Sequence, residues 1–246
     1  LSAYRYIDGC EEFDFDTDEQ CQELVKVAEK WHNFEDGRIK IDAGIHAEYT
    51  SNYKLWEGLV GYAAEKGLGM QLHLAETQSE VDSCLDRTGM GPGELLNCHR
   101  LFNVPACAAG CAYLEDQERK ILGKKKVTAV ATPLASMKSG QKTTPILESV
   151  KSGMNVALGT GGALEGGNLD LFEVMRVAAM AERSDANKAD ALPASAALMM
   201  ATVTGAQAQG RSEQCGMLQV GMDADIVLVD FSAPHLMPCH NVLNGL

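Results

Sequence analysis

The sequence predicts an α/β fold built on a parallel sheet, either closed as a barrel or doubly wound. Three observations carry that expectation. Short apolar runs alternate with helical patterns from residue 39 to residue 183. The runs follow one another at about thirty residues, the repeat of successive βα units. Each run is almost continuously small or branched apolar, as in parallel strands covered on both faces.

The candidate strands are Arg38 to Gly44, Gly69 to Leu74, Ala106 to Cys111, Val127 to Ala131 and Asn155 to Gly159. Between the first two, Leu55, Leu59, Tyr62 and Ala63 form one stripe of a helix over Tyr53 to Lys66, which Gly67 is placed to end. After the third, Glu115 to Lys125 reads as a charged helix packing through Ile121 and Leu122. Thr144-Pro145 offers a cap and a first-turn proline for a helix that Gly153 closes. Leu171, Met175, Ala178 and Ala179 stand at helical spacing within Leu169 to Arg183. Beyond Asn187 the rhythm changes, to a helix over Pro193 to Ala208 and then a turn rich in Gly and Asp feeding a strand within Gly221 to Asp230. Residues 1–209 therefore read as one βα body and 210–246 as a smaller β appendage.

Composition excludes more than it assigns. Lys and Arg total 21 against 34 Asp and Glu, a balance of −13 that disfavours nucleic acid and anionic membranes as partners. The most apolar stretch, Leu192 to Ala206, is interrupted by Pro193, Ser195, Thr202, Thr204 and Gly205, short of the ~20 residues a spanning helix needs. Eight cysteines without a Cys-x-x-Cys pair read as reduced thiols of a cytoplasmic protein. The opening residues Leu1 to Ile7 lack an initiator Met and a signal-peptide pattern, as expected where a chain begins partway into a longer one.

The chemistry centres on Gly69-Met-Gln-Leu-His-Leu-Ala-Glu-Thr77, in which His73 and Glu76 stand where an apolar strand runs out into a loop. A bend after His73 would turn imidazole and carboxylate toward one point. A metal held by the ring could there activate water while the carboxylate moves its proton. The plainer alternative is a hydrogen-bonded structural pair.

Further segments accompany it: Gly44-Ile-His-Ala-Glu-Tyr-Thr50, Val156-Ala-Leu-Gly-Thr160, Asn168-Leu-Asp-Leu-Phe-Glu173 and Gly221-Met-Asp-Ala-Asp-Ile-Val-Leu-Val-Asp230. Together, from about Trp31 to His240, they resemble the amidohydrolase superfamily, and within it the methylthioadenosine and S-adenosylhomocysteine deaminases and the triazine chlorohydrolases. The resemblance implies a partial (β/α)8 barrel with strands equivalent to about the third through the eighth, followed by the start of a C-terminal β-sandwich segment. It also implies a divalent metal, zinc or iron, and hydrolysis of C–N bonds in aminated purine nucleosides or similar N-heterocycles. His73 matches a metal ligand, Glu76 the catalytic acid and base, and His46 a substrate-contacting histidine.

Three positions depart from the family pattern. Ala108-Ala-Gly-Cys111 puts Gly110 where relatives have a histidine, Val130-Ala-Thr-Pro133 puts Ala131 in place of a site histidine, and Gly159-Thr-Gly-Gly162 puts Gly161 at the metal-binding aspartate. No His-x-His occurs anywhere. A divalent ion needs three or more fixed ligands to stay bound and to lower the pKa of its water to about 7. The expectation is an impaired or inactive member, a pseudoenzyme. The alternatives are an active deaminase with a rearranged site, or a non-catalytic homologue that binds a small nucleoside-like molecule or pairs with another subunit. An incomplete barrel exposes strand edges, which another copy in a homo-oligomer or another segment would cover.

Other features have plainer readings. The loop Gly159 to Gly167 lacks the Gly-Lys-Ser/Thr ending of a phosphate cradle, and Glu165 would repel phosphate. Cys107 and Cys111, with His99 nearby in sequence, read as small buried residues rather than a nucleophile and base. His32, His235 and His240 read as structural or surface histidines, and Met199 and Met200 as core filling.

Overall fold

The computed structural model describes residues 13–245; Leu1 to Ile7 and Cys10 lie outside the described residues. The elements in chain order are α1 (Glu19–Trp31), α2 (Phe34–Gly37), β1 (Ala43–Gly44), α3 (Tyr53–Lys66), β2 (Met70–Leu74), α4 (Gln78–Thr88), α5 (Pro92–Cys98), β3 (Ala106–Gly110), α6 (Asp116–Lys124), β4 (Thr128–Ala131), α7 (Pro133–Lys138), α8 (Ile146–Lys151), β5 (Asn155–Leu158), α9 (Ala163–Gly166), α10 (Leu171–Asp185), α11 (Ala194–Ala201), α12 (Val203–Ala208) and α13 (Val242–Gly245). The strands form one sheet in the order β1-β2-β3-β4-β5. The pairings of β1 with β2, β2 with β3 and β3 with β4 are parallel, and the sheet is not closed. The chain divides into two compact units, Leu1–Val130 with Glu148–Asn155, and Ala131–Leu147 with Val156–Leu246.

In the first unit each of the two long helices starts on a side-chain cap. Asp18 accepts the N–H groups of Gln20 and Cys21 at 3.1 Å, and α1 then buries Cys21, Leu24 and Ala28 on one face. Asn52 accepts the Leu55 N–H at 3.0 Å, α3 buries Leu55, Trp56, Leu59 and Ala63, and Gly67 closes it as expected. Tyr62, expected in that stripe, is half-buried instead. The first strand is shorter than expected, only Ala43–Gly44 of the run Arg38 to Gly44.

The strands were expected to be covered on both faces, which holds for Ala43–Gly44 of β1 and for Val156, Ala157 and Leu158 of β5, whereas β2 and β3 differ. Along β2, Met70, Leu72 and Leu74 are buried while Gln71 and His73 are exposed; along β3, Ala106, Ala108 and Gly110 are buried while Cys107 and Ala109 are half-buried. Successive side chains of a strand point to opposite faces. At β2 and β3 one face of the sheet therefore stays accessible to solvent, and it carries Gln71 and His73.

In the second unit, Asp170 caps α10 through the Phe172 N–H at 2.8 Å. Glu182, buried on the same helix, accepts the N–H groups of Ile146 and Leu147 at 3.1 Å each. The helix expected over Pro193 to Ala208 is two helices, α11 and α12, broken at Thr202 (φ −121°, ψ −86°). Met200 is buried, whereas Met199 faces solvent at 55 % exposure, so only the former fills core. The strand expected within Gly221 to Asp230 joins no ladder, and Ile226, Val227 and Leu228 are exposed. A strand sequence becomes a strand only against a partner edge, and among the described residues none is offered to it. No helix of the described residues is long and apolar enough to cross a membrane.

Candidate functional site

The parallel ladder brings His46 and His73 together. The Ile45 N–H donates to the Gln71 carbonyl at 3.1 Å and the His73 N–H to the His46 carbonyl at 2.8 Å, extending the β1–β2 pairing past the end of β1. The His46 carbonyl is used twice, because His73 Nδ1 also lies 3.0 Å from it. A carbonyl only accepts, so His73 Nδ1 donates this bond and carries a proton. The two imidazoles stand 5.2 Å apart between ring centroids.

His46 is held from its other side. Its Nδ1 is 3.1 Å from Thr50 Oγ1, within the tight turn Glu48–Thr50. Burial, and secondarily the neighbouring His73, lower the His46 pKa below the usual histidine value. His46 is therefore a neutral ring at neutral pH. Both rings line a cleft of about 330 Å3 on the open face of the sheet, together with Asp42, Gln71, Cys107 and Val130. Asp42 accepts the Gly69 N–H at 3.1 Å and Gln71 Nε2 at 2.8 Å, which fixes the cleft floor.

The bend expected after His73 falls at Ala75, whose φ of 48° lies in the left-handed region. Four bonds hold this strained turn. Glu80 accepts the N–H groups of Ala75 at 2.8 Å and Glu76 at 2.9 Å, the Ala75 carbonyl accepts the Tyr113 N–H at 3.0 Å, and the Leu74 carbonyl accepts the Cys111 N–H at 2.7 Å. The turn carries Glu76 to the end of β3, where Leu74 is paired with Gly110. Glu80 was not singled out from sequence, although Thr77-Gln-Ser-Glu80 is a capping pattern. Thr77 does cap α4 through the Glu80 N–H at 3.2 Å, but the Glu80 carboxylate reaches back to the turn instead.

Burial raises the Glu80 pKa above the ordinary carboxylate value, against the pull of the Glu76, Ala75 and Thr77 N–H groups. A pKa raised on folding contributes stability below the unfolded value that is lost as pH rises through the folded value. Wild-type protein should therefore lose stability relative to Glu80→Gln as pH climbs from the ordinary carboxylate range through the raised one. Denaturant midpoints of both proteins across that range test this, and parallel pH profiles would refute it.

Gly110 has φ 91° and packs against Glu76. The positions of Ala131 and Gly161 belong to the second unit. Ala131 is buried at the end of β4, and its carbonyl accepts the Gly159 N–H at 2.9 Å. Gly161, at φ 67°, opens the turn into α9, where Glu165 accepts the Gly162 N–H at 2.9 Å. A carboxylate thus occupies the amide that a phosphate would require. None of the three positions carries a side-chain donor atom. Among the described residues no group of three or more His, Cys, Asp or Glu side chains is arranged to hold a metal ion. The donor set accordingly does not fit the divalent metal that the family resemblance implies.

The reading of these cysteines as buried holds for Cys111, whereas Cys107 is half-buried beside the cleft. Burial pushes the Cys107 thiol up to about 11, with the Asp42 charge adding to it, and burial raises Cys111 as well. His99 instead packs against Tyr53 and Trp56, 3.7 Å from Glu57. Cys84, Cys98, Cys111, Cys215 and Cys239 are free thiols.

The parallel sheet carries its imidazoles and an acid at the C-terminal strand ends, where parallel α/β barrels place their active sites. The family model described as "Amidohydrolase family" matches residues 9–244, and the chain belongs to that family. It is 36% identical over 228 residues to the 5-methylthioadenosine/S-adenosylhomocysteine deaminase of Thermoanaerobacter pseudethanolicus, covering 93% of this chain and 53% of the relative. It is 35% identical over 225 residues to the 5'-deoxyadenosine deaminase of Methanosarcina mazei, covering 92% and 52%. An adenosine deaminase from Xanthomonas campestris, solved with bound zinc, superposes with a TM-score of 0.87 at 29% identity, over 92% of this chain and 51% of that one. The atrazine chlorohydrolase of Arthrobacter aurescens, solved with zinc, shares the fold with a TM-score of 0.86 at 24% identity, over 98% and 53%. The chain spans about half the length of the curated relatives it matches.

Proposed function

We propose that this chain is an amidohydrolase-family domain that keeps a nucleoside- or N-heterocycle-binding face and has lost most of the family's metal-dependent deamination. The donor set carries this reading. Gly110, Ala131 and Gly161 offer no ligand atom at positions where the resemblance places site histidines and an aspartate. What remains suits binding. His46 and His73 are hydrogen-bonding rings on an accessible cleft, and Asp42 and Gln71 add fixed polar atoms for the edge of a heterocycle. His46 is the substrate-contacting group in this reading, and Glu76, in the turn beyond, is the acid and base left from the family reaction. Losses within one catalytic constellation are far from additive, so a single surviving ligand, His73, retains little of the rate.

The purified protein, supplied with zinc, iron or manganese and then freed of excess, should hold well under one ion per chain by elemental analysis. It should release no ammonia from adenosine, 5'-methylthioadenosine or S-adenosylhomocysteine, while calorimetry detects at least one of these binding. Stoichiometric metal with turnover would defeat the proposal of impaired hydrolysis. Absence of any nucleoside binding would defeat the proposed binding face.

A further inference from the structure

We propose that Gly110 is a positioning residue for Glu76: the missing β-carbon at the end of β3 is what lets the Glu76 side chain lie where it does. The inference rests on the proposed site for its functional meaning, but its geometry is independent of it.

A β-carbon built on Gly110 would fall inside the van der Waals envelope of Glu76 Cγ, 3.3 Å from Glu76 Cβ and 3.2 Å from the Leu74 carbonyl oxygen. The Glu76 side chain therefore fills the volume that any side chain at position 110 would enter. Glu76 cannot yield by moving its backbone. Its N–H is bonded to Glu80, and the Ala75 and Leu74 carbonyls before it are bonded to Tyr113 and Cys111, which lie just beyond Gly110 in the chain. The freedom left is rotation about the Glu76 side-chain bonds, which would carry the carboxylate elsewhere.

The consequence concerns the histidine that the family pattern has at this position. An imidazole at 110 and the present placement of Glu76 exclude each other, so Gly110 is not a vacancy that a histidine would simply refill. Glu76 has taken up the space. Returning a side chain to 110 displaces the acid that the family chemistry would use.

The test is a double-mutant cycle on thermal stability between Gly110→Ala and Glu76→Ala, with the Glu76 χ1 angle measured in Gly110→Ala by side-chain NMR couplings or crystallography. Alanine at φ 91° is strained in either background. Only the clash with Cγ depends on Glu76. The expected result is a loss of Tm from Gly110→Ala that falls by half or more when residue 76 is alanine, with a changed χ1 for Glu76 in the single variant. If Gly110→Ala unfolds the protein with glutamate at 76 but not with alanine there, the inference is likewise supported. Equal losses in both backgrounds, unfolding in both, or an unchanged χ1 would overturn it, because backbone strain alone would then account for the glycine. Adenosine binding to wild type, measured alongside, separates the two readings. If adenosine fails to bind while the cycle shows coupling, the proposed function fails and the positioning role of Gly110 stands.

Discussion

Glu118→Ala is expected to lower the unfolding free energy by about 4 kcal/mol, summing orphaned donors at about 1–3 kcal/mol each. Glu118 is 3% exposed, and its carboxylate accepts three backbone N–H groups: Gly93 at 2.8 Å, Glu94 at 3.4 Å and Glu115 at 2.9 Å. The first two are unpaired amides of the opening turn of α5, and the third precedes α6. The N-cap of α5 is Gly91, which has no side chain to cap it. Truncation therefore leaves the buried Gly93 amide and the part-buried Glu94 and Glu115 amides without their partner and opens a void between two packed helices. The long Glu94 bond contributes least, which keeps the sum below the upper bound. Glu118→Gln, with one acceptor oxygen, should lie between. Urea unfolding measures both, and a Glu118→Ala protein within about 1 kcal/mol of wild type would show that water replaces the carboxylate at these amides.

Arg87→Ala is expected to cost about 3 kcal/mol, toward the low end of the range for stranding one partner of a buried ion pair. Arg87 donates through both terminal nitrogens to the two oxygens of Glu48, at 3.1 and 2.7 Å. The side chain of Glu48 is 3% exposed and that of Arg87 47%, so water can enter from the arginine side and moderate the loss. Glu48 opens the turn whose Thr50 holds His46, so the same variant should weaken nucleoside binding as well as stability. Arg87→Ala combined with Glu48→Gln removes the stranded charge and should recover part of the stability. Denaturation and calorimetry on the three proteins read both effects. A double variant no more stable than Arg87→Ala would show that the charge is not what costs.

Much of the fold could be read from particular residues. Alanine, valine and leucine runs located β2 to β5 within a residue or two, because a strand buried on at least one face needs them whatever its neighbours. Asn52 and Gly67 bounded α3 through local capping, which depends on nothing distant. By contrast α1, α4, α5 and α7 were not singled out; α5 and α7 are six or seven residues long, too short for periodicity to stand out. The break at Thr202 was also invisible, since Leu198 to Ala206 reads as one apolar helix.

The candidate site was legible as a set of residue types and only partly as an arrangement. His46, His73 and Glu76 stood out because imidazoles and an acid at strand ends are chemically distinctive. Gly110, Ala131 and Gly161 stood out only against the pattern of the family. The supporting residues Thr50, Glu80 and Arg87 did not: the partner of Arg87 is 39 residues away, and those of Thr50 and Glu80, though local, meet them only through the folded turns.

The sequence by itself determined the family and the parallel α/β class, and it placed Gly110, Ala131 and Gly161, which carry no donor side chain, at their positions, since these depend on which side chains exist. Tertiary structure alone decided that one face of β2 and β3 stays accessible and that the tail at residues 221–230 joins no ladder. It also decided that the Glu76 side chain fills the space beside Gly110. Those outcomes turn on which groups meet across the chain: a strand needs an edge to pair with, and a cavity is claimed by whichever neighbour can reach it.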